Sequence, residues 1–369
     1  MNHIAFPTDA VTAVEAIDSI LAFAVAERAS DVHCDPWDSG IAVRLRIDGQ
    51  ITEAGILPRS LHEEMIARLK ILSGARTDIH AVPQDGRWRA TIGGEPFNIR
   101  ISFMPTYHGE NAVMRLLPAQ SHGDISFARL GFAPDHVQSI DAALQRTHGL
   151  ILVTGPTGCG KTTTLHACLT QKARENISII TLEDPVEYEI AGVRQVHIRH
   201  DHGVTFAAGL RSALRQDPDV IMVGEIRDGE TARVAIHTAL TGHLVLSTLH
   251  TNSAIEAIPR LADMGADRYL LASTLTLLIG QRLVRTACHS CSALGCEDCR
   301  NIGYVGRSVI AEVCDIDPGM KKLLAGNGPA GTYTDHARSR GFRTMSEDGT
   351  EKIEWGITTK EEVRRVLSA

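Results

Sequence analysis

Leu150-Ile-Leu-Val-Thr154-Gly155-Pro156-Thr157-Gly158-Cys159-Gly160-Lys161-Thr162-Thr163 is the stretch from which the fold of this chain is read. An apolar run of strand length passes into two glycines separated by four residues, then Lys and Thr, which is the phosphate-loop pattern. A glycine-rich turn between a strand and a helix lets backbone N–H groups and the positive end of the helix dipole converge on phosphate oxygens. In such a loop Lys161 reaches the β- and γ-phosphates and the Thr162 hydroxyl holds Mg²⁺. Gly155 through Thr163 are therefore the candidate nucleotide-binding residues.

Working outward, three more apolar runs of four to six residues follow at helix-length intervals: Ile177 to Leu182, Val220 to Val223 and Leu244 to Leu249. Continuous rather than alternating apolar strands indicate a parallel sheet covered on both faces, so the later part of the chain is α/β. Upstream the pattern is different. A helical opening gives way to alternating runs, Ile41 to Ile47 and Phe97 to Phe103, that read as half-exposed strands. Pro118-Ala-Gln-Ser-His-Gly123 has the composition of a linker. The expected organisation is an N-terminal domain over 1–117, a linker at 118–123 and a nucleotide-binding domain over 124–369.

A length of 369 residues suits two to three domains. A hydrophobic content of 43% with 22% charged residues excludes extensive disorder, and a net charge of -7 argues against nucleic acid as a partner. No stretch reads as a signal peptide or a membrane span, which points to a cytoplasmic protein.

Hydrolysis requires an oriented, polarised water, and carboxylates at strand ends are the usual means. The strand Val220 to Val223 ends in Gly224-Glu225-Ile-Arg227-Asp228, similar to a Walker B element, with Gly224 where a magnesium-facing Asp is common. Ile177 to Leu182 ends in Glu183-Asp184-Pro-Val-Glu187, a cluster that either organises Mg²⁺ or forms a solvated acidic turn. His243 and His250 bracket the strand Leu244 to Leu249 and are candidates to sense the γ-phosphate or to link subunits. Arg211 and Arg215 are spaced to share a helical face, either to neutralise transition-state charge or as a surface pair. Arg100 and Arg115 are similar candidates if the first domain closes over a nucleotide.

Cys288-His-Ser-Cys291 and Cys296-Glu-Asp-Cys299 form two Cys-x-x-Cys knuckles within a subdomain at 285–315. Four thiols this close together in a reducing compartment indicate zinc rather than redox thiols, and the site would be structural, since four thiolates leave no open metal position.

The order of Gly155 to Thr162, Glu183 to Glu189, Asp219 to Asp228 and His243 to His250 resembles the Walker A, Asp box, Walker B and His box of the secretion ATPase superfamily. Ala29-Ser-Asp-Val-His33, Arg44 to Gly49, Pro83 to Gly86 and Gly109-Glu110 look like that family's small PAS-like α+β domain. The resemblance implies a RecA-like P-loop ATPase domain with a parallel-rich sheet, ATP as substrate, and a homo-hexamer with nucleotide between the two domains. The cysteine cluster with Gly303 to Arg307, and the helical tail from Met345, favour the pilus-assembly and type II secretion branch over pilus retraction or conjugative type IV secretion. Relatives of that branch carry a further N-terminal domain, whereas this sequence starts at the second. The implied coupling is thus to a polytopic inner-membrane platform protein, with peripheral attachment to the membrane. For the roles, the resemblance implies Lys161 and Thr162 for phosphate and Mg²⁺. It implies Glu225 or Glu183 for the water, with Glu225 favoured and Glu183, Asp184 and Glu187 around the metal. Arg215, Arg100 and Arg115 are the implied phosphate-neutralising arginines, and His243 and His250 the sensors.

Overall fold

The computed structural model describes residues 12–118, 125–187, 189–326 and 330–368. These separate into two compact units, 12–118 with 296–302, and 125–295 with 303–368. The linker proposed at 118–123 lies, beyond Pro118, outside the described residues.

The first unit contains helices α1 (Ala13–Ala26) and α2 (His62–Ser73) and strands β1 (Asp31–Trp37), β2 (Gly40–Ile47), β3 (Gln50–Leu57), β4 (Gln84–Ile92), β5 (Glu95–Thr106) and β6 (Gly109–Pro118). Thr12 and Glu15 close a capping box on α1, whose Ala16, Ile17, Ile20, Leu21 and Ala24 form one buried stripe. The strands make an antiparallel sheet in the order β3-β2-β1-β6-β5-β4. Alternation sends Val43, Leu45, Ile99, Ile101, Phe103 and Met114 into a core shared with α1 and α2. The other face carries a cross-strand row in register: Arg46, Asp31, Arg115, Arg100 and Arg87.

The second unit is built on a seven-stranded sheet ordered β13-β12-β7-β11-β10-β8-β9. Its strands are β7 (Gly149–Thr154), β8 (Ile179–Glu183), β9 (Arg194–His197), β10 (Val220–Val223), β11 (Leu244–Leu249), β12 (Leu275–Ala287) and β13 (Tyr304–Asp315). All neighbouring pairs are parallel except β12 with β13. Every residue of β7, β10 and β11 is buried. Leu150 and Leu152 join one apolar core while Ile151 and Val153 join another on the opposite face. That two-sided burial is why the strands read as unbroken apolar runs. Ile177 stands outside the ladder, since β8 begins only at Ile179.

Helices α3 (Phe127–Leu130), α4 (Pro134–Leu144) and α5 (Lys161–Lys172) supply one face. The other is covered by α6 (Phe206–Ala213), α7 (Gly229–Leu240), α8 (Ala257–Asp263), α9 (Arg268–Thr274), α10 (Pro318–Ala325) and α11 (Ala330–Ser339). The tail helices α12 (Met345–Glu354) and α13 (Lys360–Leu367) are tied to the β12–β13 pair by buried polar groups. Asp348 accepts from the Ala311 amide at 2.8 Å and from Lys352 at 2.6 Å, and Glu312 accepts from the Met345 amide at 3.2 Å. Buried charges so paired cost stability if either partner is removed.

Candidate nucleotide site

β7 ends at Thr154 and α5 begins at Lys161, so six residues make the turn. Gly155, Gly158 and Gly160 all have positive φ. A Cβ on Gly155 would lie 2.5 Å from Cys159 Sγ and 2.7 Å from the Gln281 carbonyl oxygen, so the loop closes only around a glycine. Cys159 points inward, 4% exposed, and burial pushes its thiol pKa up, so it packs the loop as a small apolar group. Lys161 folds back over the turn, donating to the Gly155 and Pro156 carbonyls at 2.7 and 2.9 Å. Burial lowers its pKa, and the Glu225 charge acts in the opposite sense. Thr162 and Thr163 occupy the first turn of α5, where N–H groups lack intrahelical partners.

Because β7, β10 and β11 run parallel, their carboxyl ends share one edge of the sheet. Glu225 follows β10 there, and His250 follows β11. Glu225 Oε1 accepts from Arg227 at 2.5 Å, His250 Nε2 lies 3.7 Å from Oε2, and the carboxylate keeps 18% exposure. Burial and then the Lys161 charge lower the His250 pKa, against the pull of Glu225. An imidazole held neutral beside an ammonium and a carboxylate is able to accept or pass a hydrogen bond at the phosphate end of the loop. A cavity of about 410 Å³ opens alongside, lined by Gly155, Pro156, His250, Thr251, Asn252 and Arg260 among others.

Glu183 is placed differently. It is 3% exposed, and its oxygens accept from Thr181 at 2.6 Å, Gln195 at 3.0 Å and His166 at 3.3 Å. Burial works to raise its pKa, but those three hydrogen bonds and the His166 charge outweigh it and hold the carboxyl below the usual range. In this arrangement its oxygens face into the protein, away from the outward metal-organising role given to it. Asp184 stays partly open, 3.5 Å from His200 and 3.9 Å from Arg227. Glu187 lies in the following turn, beyond any regular element.

Other expected site residues are not gathered here. His243 sits at the amino end of β11, roughly 20 Å along the strand from His250, with its Nδ1 3.1 Å from the Thr238 carbonyl. It is therefore separated from the phosphate loop by the length of the strand. Arg215 does not extend the α6 face. The helix ends at Ala213, a 3₁₀ turn follows, and Arg215 donates to the Arg211 carbonyl at 3.0 Å while Arg211 pairs with Glu230 at 3.0 Å. Arg100 and Arg115 belong to the first unit, where Arg115 donates to Asp31 at 2.9 Å. Three residues that motif reading passed over do contribute. His166 braces Glu183. Gln281 and Arg282 enter from β12, Arg282 donating to the Asn252 carbonyl at 3.1 Å. The available signal was a polar pair breaking the apolar run Leu275 to Gly280.

The cysteine loop joins β12 to β13. Its four Sγ atoms lie within 4.8 Å of one another, and those of Cys296 and Cys299 are 3.7 Å apart. Four thiolates at about 2.3 Å from zinc stand about 3.8 Å from each other, so this donor set fits a tetrahedral ion. The Gly295 and Cys296 amides donate to the Cys291 and Cys299 sulfurs, both at 3.2 Å, as suits thiolate acceptors. Among the described residues no helix is long and apolar enough to cross a membrane.

Comparison with known proteins agrees with this geometry. The model of the family described as Type II/IV secretion system protein matches residues 8–365. The type II secretion system protein HxcR of Pseudomonas aeruginosa is 42% identical over 366 residues, covering 97% of this chain and 78% of the relative. The type IV pilus assembly ATPase PilB of Myxococcus xanthus is 39% identical, covering 98% and 69%. Among solved structures, the pilus retraction motor PilT with bound ADP superposes with a TM-score of 0.68 at 28% identity, covering 95% and 96%. A family match over residues 8–365, with a relative 42% identical across 97% of the chain, makes the chain a member of the Type II/IV secretion system protein family.

Proposed function

We propose that this chain is a P-loop ATPase that converts ATP to ADP and phosphate to power type IV pilus assembly or type II-like protein secretion. The observation that carries the reading is the convergence of Lys161, Glu225 and His250 at the carboxyl ends of β7, β10 and β11. Backbone N–H groups of the glycine turn and of the first turn of α5 bind the phosphates. Lys161 exchanges its carbonyl partners at Gly155 and Pro156 for phosphate oxygens, which returns its charge to a paired state. Glu225 takes the proton of the attacking water, and His250 orients the γ-phosphate. Magnesium, held through Thr162, would neutralise the charge developing between the phosphates.

The wider assembly belongs to the same proposal. Six copies form a ring, Arg100 and Arg115 neutralise phosphate charge as the first domain closes over the nucleotide, and zinc held by the four cysteines would fix the β12–β13 loop. Motion about the segment at 118–123 passes to an inner-membrane platform protein, leaving the motor cytoplasmic and peripheral. A retraction motor is the second reading. The 28% identity to PilT against 42% to HxcR, with the cysteine loop, weighs against it. The biochemical test is magnesium-dependent phosphate release by purified protein. Lys161→Ala should reduce turnover at least a hundredfold, and a variant as fast as wild type defeats the ATPase reading.

A further inference from the structure

Gln281 lies in β12, 0% exposed, and its side chain leaves its own strand to reach the phosphate loop. Its Nε2 donates to the Cys159 carbonyl at 2.7 Å, and its Oε1 accepts from the Thr164 hydroxyl at 2.8 Å. The acceptor-only Cys159 carbonyl decides which end of the amide faces the loop, which leaves Oε1 to accept from a hydroxyl able to act either way. The first bond fixes a peptide plane. In a trans peptide the carbonyl oxygen of one residue and the N–H of the next point in opposite directions. Holding the Cys159 oxygen toward β12 therefore turns the Gly160 N–H away from β12 and into the loop. Gly160 is the N-cap of α5, and its carbonyl accepts from the Thr164 amide at 3.0 Å, so the same contact also seats the first turn of the helix. The fit is close: a Cβ on Gly160 would stand 3.2 Å from Gln281 Nε2.

We propose that Gln281 is a positioning residue that holds the phosphate loop in its binding shape by orienting the Cys159–Gly160 peptide. The inference rests on the nucleotide-site reading above and adds to it a part supplied by the strand that leads into the cysteine loop. A buried amide placed only for stability would affect folding and nucleotide binding together. A positioning amide affects binding first, since the loop remains packed but its N–H groups no longer converge.

The test is calorimetric titration of full-length protein with Mg-ADP. Gln281→Met keeps the side-chain volume and removes both hydrogen bonds, so affinity should fall about tenfold. Steady-state kinetics of the same variant should show KM for ATP raised by a similar factor, with kcat within about threefold of wild type. Gln281→Glu supplies the second readout. Its ionised carboxylate repels the Cys159 oxygen, but a protonated one donates to it, and burial at a 0% exposed position raises a carboxyl above the ordinary glutamate range, so affinity relative to wild type should recover as pH falls from 8 toward 5. Thr164→Val, which frees the amide without altering the loop, should weaken binding about threefold and serves if Gln281→Met fails to fold. Wild-type affinity in Gln281→Met, or in Thr164→Val where only that variant folds, overturns the inference. A wild-type protein that binds no nucleotide overturns the site itself instead.

Discussion

Two carboxylates stand at the carboxyl ends of β10 and β8, and exchanging each for its amide separates a reacting group from a structural one. Glu225 touches Arg227 at 2.5 Å and His250 at 3.7 Å and is partly open to solvent. Losing a partly exposed pair of this kind costs below about 1 kcal/mol. Losing a general base costs about 100-fold to 10,000-fold in rate. Glu225→Gln should therefore bind Mg-ATP as wild type does, melt within about 3 °C of it, and turn over at least 100-fold more slowly. Glu183 receives three donors at 2.6, 3.0 and 3.3 Å in a site only 3% exposed. Removing the charge on which they converge costs about 1–2 kcal/mol, which lowers the melting temperature by about 2–8 °C in a domain of this size. Its kcat should fall less than tenfold. Scanning calorimetry and phosphate-release kinetics on the same preparations read both quantities. A Glu225→Gln protein with wild-type kcat, beside a Glu183→Gln protein that melts normally and is inactive, would refute the assignment.

Metal analysis of the purified protein should return about one zinc per chain, and Cys296→Ser should lower the melting temperature by about 5 °C or more, because a structural zinc contributes folding energy. Metal-free protein that melts unchanged would remove the site. The tail provides a pH prediction. Burial works to raise the Glu362 pKa, but hydrogen bonds from Arg365 and Arg285 bring it down to about 2. A carboxyl held below its unfolded value stabilises the fold above the ordinary glutamate pKa and loses that contribution as pH falls from about 4.5 toward 2, by at most about 3 kcal/mol. Melting temperature against pH should accordingly fall less steeply over that window in Glu362→Gln. An identical slope would contradict the role given to the pair with Arg285.

The nucleotide half of the fold is legible because its signals are local. A strand buried on both faces is largely apolar, with any hydroxyl satisfied by a neighbouring carbonyl as Ser247 and Thr248 are, and a loop that closes around Gly155 and Gly160 must have glycine there, so both facts are written in consecutive residues. The cysteine spacing is legible for the same reason. What escaped depends on contacts distant in sequence. Glu183 is turned inward by Gln195 from β9 and His166 from α5, and nothing in its own neighbourhood announces either. Gln281 acts on residues 117 and 122 positions away. Arg215 leaves the α6 face because the chain tightens into a 3₁₀ turn at Leu214, where three residues per turn put positions four apart on different sides. His243 and His250 flank one six-residue strand, so strand length alone already sets them too far apart to share a phosphate.

The most direct test of the motor reading uses cells whose only copy carries Lys161→Ala, examined by electron microscopy for surface filaments and by protein analysis of the medium. An assembly or secretion motor predicts bald cells or loss of the exported proteins. More or longer filaments than wild type would mean that the motor withdraws filaments rather than building them, and would contradict the account.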